Sequence, residues 1–160
     1  MTAPPPDLWT FATRTYAGAG DACLALQDGY GVDVPLLLFA AWIGETRGVA
    51  LSPDAVAEAD GWIRDWRREV VQPLRAVRRR LKDAGAETLR QTVKAAELES
   101  ERVALTILED LSVGWTGAAI DAAPANLDAV FAFATRHGPE AASRGLLSAV
   151  AEAARAKEPA

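Results

Sequence analysis

The segment Trp62–Lys82, WIRDWRREVVQPLRAVRRRLK, fits only one regular conformation. At about 100° per residue, Ile63, Trp66, Val70, Leu74, Val77 and Leu81 fall within an arc of about 80°. Spacings of three and four make this a core-facing stripe on a helix. The same wheel gathers Arg64, Arg67, Arg68, Arg75, Arg78, Arg79 and Lys82 on a neighbouring arc with no acid among them. Eight basic residues against two acids give the segment a charge of +6, leaving −11 for the rest of a chain that totals −5. The basic row is the feature that departs from a plain helical protein, and it specifies no reaction.

A chain of 160 residues suits one domain that buries about 70% of its unfolded surface, with no need of a disulfide or metal to hold it. Half the residues are hydrophobic and the mean hydropathy is +0.02, which excludes disorder over most of the length. The single Cys23 excludes an internal disulfide framework and fits a reducing compartment. MTAPPPDLW has neither the basic nor the apolar region of a signal peptide. The longest apolar run, Val34 to Gly44, is about half the length of a spanning helix. The expectation is a soluble, cytoplasmic protein. Arg outnumbers Lys by fourteen to three in an Ala-rich chain. Such a bias follows from a GC-rich genome, so Arg in place of Lys is weak support for bidentate anion recognition.

Residues 1–6 form a stiff proline-rich arm. Asp7 caps a helix Leu8–Tyr16, which Gly18 and Gly20 end, and a second short helix covers Ala22–Asp28. After the turn at Gly29-Tyr30-Gly31, Asp33 caps Val34–Arg47, apolar on every side and therefore central. Ser52-Pro53-Asp54 starts the next helix, which Pro73 kinks without ending, and Gly85 lies in a short loop before a long antiparallel helix, Glu87–Leu111. Two further helices follow, from Pro124 or Asn126 to Arg136 and from Pro139 to Ala156, the second Ala-rich and frayed over 157–160. No strand pattern or internal repeat interrupts this series. The fold class is all-α, a bundle of about six helices with Val34–Arg47 central and the hairpin Ser52–Leu111 as its frame. Phe39, Trp42 and Trp66 are expected in the core.

Catalytic chemistry has little to stand on. Cys23 falls on an apolar helix and suits a core position. His137, beside Gly138-Pro139, suits a helix end. No metal-ligand spacing and no phosphate-binding glycine pattern is present, so no cofactor or metal is expected. Glu97 and Glu101 share a helix face, as acid–base or metal-binding carboxylates would. Folding the hairpin about its loop sets them level with residues 68 to 72, so Arg68 and Arg75 are their expected counter-ions. Gln27, Asp28, Tyr30 and Asp33 place an amide, two carboxylates and a phenol around two glycines, the make-up of a pocket rim; turn, cap and core-lid roles account for the same residues.

CLALQDGYGVDV with LLLFAAW, and WRREVVQPLRAVRRRLK followed by AAELESERV, resemble a family of uncharacterised proteobacterial proteins of about this length. The resemblance covers the first 110 residues or so. It implies bacterial origin and an all-helical fold, and it carries no activity and no catalytic residue.

The preferred expectation is a non-catalytic binding or adaptor protein. Its basic face would leave Arg64, Arg78, Arg79 and Lys82 open to an acidic protein or another anionic partner. A sequence pI near 4.9 argues against nucleic acid. The alternative is a small enzyme or ligand-binding protein with its pocket at Gln27, Asp28, Tyr30 and Asp33.

Overall fold

The computed structural model describes residues 4–157. Helix α1 spans Leu8–Tyr30, α2 Val34–Arg47 and α3 Pro53–Trp66. A π-helical turn, Arg67–Val71, runs directly into α4, Gln72–Asp83. There follow α5, Glu87–Leu111, α6, Ala122–Thr135, and α7, Ala141–Arg155. Because α3, the π turn and α4 form one rod, the architecture is an all-α bundle of six rods, and the described residues contain no strand.

Helix α2 occupies the centre, and every residue from Val34 to Gly44 is buried. The Asp33 carboxylate accepts from the Leu36 N–H at its start, and Gly48 ends it in the left-handed conformation (φ 61°). Helix α6 crosses α2 so closely that a Cβ on Gly44 would come within 2.7 Å of the Ala123 nitrogen. Asn126 pins this crossing from a fully enclosed position. Its Oδ1 accepts from the Leu51 N–H at 2.8 Å, and its Nδ2 donates to the carbonyls of Ala40 at 3.0 Å and Val49 at 2.8 Å.

Helix α1 is a single run of 23 residues with a kink where the break between two helices was expected: Ala19, between Gly18 and Gly20, leaves helical geometry (φ −138°, ψ 23°) and joins two helical halves. Ala19 is itself buried, and Gly18 lies against Ala153 of α7, so α1 packs on α7 at the kink. Helix α7 is anchored along its length by Leu147, Val150, Ala151 and Ala154. Of the proline-rich arm, residues 1–3 lie outside the described residues, as do 158–160 of the expected frayed tail; the Pro6 carbonyl accepts from Trp42 Nε1 at 3.0 Å.

The helical path passes Pro73 unbroken. The Gln72 N–H donates to the Arg67 carbonyl, five residues back, so the turn before the proline is wider than an α-turn. That widening takes up the place where the proline ring would press on the carbonyl of Glu69. Beyond the π turn, α4 packs substantially on α5 alone and has no buried residue. Leu74 and Leu81 are half-buried, and Val77 is 48% exposed. Together α4 and the first half of α5 form a two-helix arm. Phe39 and Trp42 are buried as expected, whereas Trp66, at the root of the arm, is half-buried with its Nε1 donating to the Ser100 carbonyl at 2.8 Å. Among the described residues no helix is long and apolar enough to cross a membrane.

Candidate functional site

The basic row is neutralised unevenly along its length. At its root, Arg67 donates through Nε to Asp33 and through Nη1 to Asp60, both at 2.8 Å, with all three side chains mostly enclosed. Arg64 reaches the same Asp60 at 3.1 Å. Arg68 does not pair with the carboxylates of α5. It stays exposed and binds its helical neighbours Asp65 and Glu69 at 3.0 and 2.7 Å. Arg75 joins Glu97 at 3.1 Å and Glu101 at 2.9 Å, as the hairpin requires. Arg78, expected among the open cations, also donates to the buried Glu97 and is largely enclosed.

Further out the row changes character. Arg79 meets Asp28 of α1 at 3.2 Å, with both side chains 58% exposed. Lys82, and Arg80 on the other flank of the apolar stripe, are exposed and have no ion-pair partner among the described residues.

The two α5 carboxylates differ in chemistry although one turn separates them. Burial works against ionisation of Glu97, but the hydrogen bonds and charges of Arg78 and Arg75 outweigh it and hold its carboxyl below the usual range. Burial pushes Glu101 up, with the Arg75 charge opposing and the Glu97 charge adding. Guanidinium groups occupy both carboxylates, which leaves them little capacity for acid–base or metal chemistry.

The residues Gln27, Asp28, Tyr30 and Asp33 do not gather around one pocket. Tyr30 turns towards α6, its ring 5.1 Å from that of Phe131, and its hydroxyl donates to Glu140 at 3.4 Å. Asp33 is shared between the start of α2 and Arg67. Gln27 and Asp28 face α4 instead. With Gln72, Arg75, Ala76 and Arg79 they line an open cleft of about 640 Å³. The remaining loop residues and the outer basic row thus meet in one place. Helical spacing puts Leu24, 43% exposed, one turn before Gln27 and Asp28 on the cleft side of α1.

Cys23 is fully buried, and burial raises its thiol to about 11, so it is a core residue without nucleophilic character at neutral pH. His137 is exposed, its ring edge-on to Phe131 and Nδ1 3.1 Å from the Gly138 carbonyl. A smaller hollow of about 230 Å³ lies between α6 and α7, but Asp128 engages its Arg144, and Glu45 and Asp121 engage its Arg155.

The Arg67–Asp33–Asp60 knot escaped sequence reading because Asp33 and Asp60 carry other obvious signals, a cap and an ordinary helical acid. The usable signal is Asp60 itself, four residues before Arg64 on the buried side of α3.

No curated protein and no solved structure matches the chain. A family model described as "Protein of unknown function (DUF2390)" matches residues 7–108, from the cap of α1 to the last turn of α5. The match takes in the central helix, the Arg67 knot and the whole arm, and the chain therefore belongs to the DUF2390 family.

Proposed function

We propose that this protein is a non-catalytic binding module that takes an acidic protein segment on the outer cations of α4. The uneven neutralisation of the basic row supports this reading. Internal carboxylates absorb its root, while Arg79 and Lys82 of the row, and Arg80 on the other flank of the helix, stand exposed on an arm whose α4 buries nothing. Exposed pairs stabilise a fold by no more than about 1 kcal/mol each, so cations here contribute little to stability and much to the local field. The total charge of −5 disfavours a polyanionic duplex as partner and leaves a short acidic segment as the better fit. A cytoplasmic setting suits the lone buried thiol of Cys23.

The test is binding of a synthetic helical Glu/Leu peptide, followed by fluorescence anisotropy. Reversing Arg79, Arg80 and Lys82 to Glu is expected to weaken binding by about a hundredfold, as three favourable charges become three repulsive ones. The thermal midpoint should stay within a few degrees of wild type. Undiminished binding by the triple variant, or wild-type preference for duplex DNA over the peptide, would overturn the reading.

The cleft between α1 and α4 supports a second reading, a small-molecule site bounded by Gln27 and Asp28. A molecule of defined mass retained by the purified protein in native mass spectrometry, and lost when Ala76→Tyr fills the cleft, would favour it over the first.

A further inference from the structure

Resting on the binding-module reading, we propose that the acidic segment is seated in the cleft between α1 and α4, where Asp28 holds the place of one of its carboxylates. The walls of the cleft are unlike. Gln27 and Asp28 come from α1, and Gln72, Arg75, Ala76 and Arg79 from α4. The bridge across its mouth is the Arg79–Asp28 pair, 3.2 Å long and more than half exposed on both sides. A pair of that kind contributes so little that an incoming carboxylate can replace Asp28 at small cost.

Arg75 supplies the second anchor. Its Nε and Nη2 are committed to Glu97 and Glu101, which fix the plane of the guanidinium and leave Nη1 without a protein acceptor. A donor oriented before the ligand arrives loses little entropy on binding. Arg75 and Arg79 are one turn apart, about 6 Å along α4. They therefore match two carboxylates spaced four residues apart on a partner helix. Leu24, 43% exposed and one turn before Gln27 and Asp28 on α1, offers an apolar contact beside the cleft, and the small side chain of Ala76 leaves the cleft open. The occupant this selects is an amphipathic acidic helix, with two acids on one edge and a Leu-like residue beside them.

Anisotropy with a helical peptide carrying Glu at positions i and i+4 beside a Leu is the direct measurement. Asp28→Asn is expected to tighten binding about threefold by freeing Arg79. Glu99→Gln, which removes an exposed carboxylate elsewhere on the arm, should leave it nearly unchanged. Ala76→Tyr should weaken it at least tenfold, with the helical circular dichroism and melting curve retained because position 76 is exposed. If Asp28→Asn binds no more tightly than Glu99→Gln, the cleft is not the seat, whether or not Ala76→Tyr folds. Equal tightening of inorganic phosphate, anionic vesicles or duplex DNA by Asp28→Asn would also overturn the choice of a peptide. Failure of the broader reading looks different: the variant reversed at Arg79, Arg80 and Lys82 would then retain the peptide.

Discussion

Helices α2 and α4 are nearly equal in length and opposite in what they bury. The apolar run of α2 has no polar side, and all of it from Val34 to Gly44 is enclosed by α1, α5, α6 and α7. Helix α4 has a clean apolar stripe beside a basic one and encloses nothing, because α5 is its one substantial neighbour. A stripe tells which side of a helix meets a partner. It does not tell how many partners come. A helix apolar all round demands neighbours on every side, so its sequence specifies burial more strictly than an amphipathic one does. The stability of α2 is then that of the whole bundle, while the arm can open locally at lower cost.

The largest expected effect lies in α2. Phe39 is fully buried, with its ring 6.2 Å from Trp42 and 6.3 Å from Trp115. Phe39→Ala is expected to cost about 3–5 kcal/mol in urea denaturation, the usual loss for an enclosed aromatic. Leu74→Ala, at a half-buried position of α4, should cost roughly 1–2 kcal/mol, since only part of its transfer energy is at stake. Equal losses would mean that the arm is as much part of the core as α2, and the contrast would fail.

Next in size is the ionic seam that fastens α4 to α5. Glu97→Gln leaves Arg75 and Arg78 enclosed without their shared carboxylate, at a cost of about 3 kcal/mol near neutral pH. Glu101→Gln should carry no such cost near neutral pH, because burial already disfavours its charge. Acid titration separates the two. The folded pKa of Glu97 is lowered, so its contribution is present above the ordinary value of 4.5 and is lost as pH falls through the folded value. Glu101 has a raised folded pKa. It adds nothing below 4.5 and becomes unfavourable as pH climbs through the folded value. Glu97→Gln should therefore flatten the acid limb of stability against pH, and Glu101→Gln should raise stability relative to wild type on the neutral side of that window. Denaturation midpoints measured across pH 3–7 check both signs.

The sequence made α2 legible to the residue, since Asp33, Pro35 and Gly48 mark its ends by local chemistry that packing need not override. It placed α5 equally well. It located the kink of α1 at Gly18 and Gly20 but ended the first helix at Tyr16, because those glycines weaken a helix in isolation and the support from α7 comes through alanines, which carry no readable phase. The Glu97–Arg75 pair was legible, but the register was not. Side chains lean towards the N-terminus of their own helix, so Arg75 reaches away from the hairpin loop and Glu97 towards it. The charges therefore meet nearer the loop than backbone levels imply, and Arg78 takes the place expected for Arg68. The cleft was beyond reading, since nothing local announces that Asp28 and Arg79, fifty-one residues apart, will face each other.

The smallest effect is the sharpest test, because it compares one residue type at two places on one rod. Val56 in α3 is fully buried and Val77 in α4 is 48% exposed, although both lie on the apolar side of their helix. Val→Ala removes the equivalent of two methylenes, about 1.6 kcal/mol of transfer energy when the side chain is enclosed. Ala also favours the helix over Val by roughly 0.5 kcal/mol. At Val56 the loss dominates, and the cavity left among core neighbours adds to it, for an expected cost of about 2 kcal/mol. At Val77 half the transfer energy is already forgone to solvent, so the remaining loss and the helical gain nearly cancel. Val77→Ala should move stability by no more than about 0.5 kcal/mol in either direction. A cost at Val77 approaching that at Val56, measured by urea denaturation at low protein concentration, would show that something besides α5 covers the arm. Repeating the measurement at tenfold higher concentration identifies a second copy of the chain as the cover if the cost grows with association.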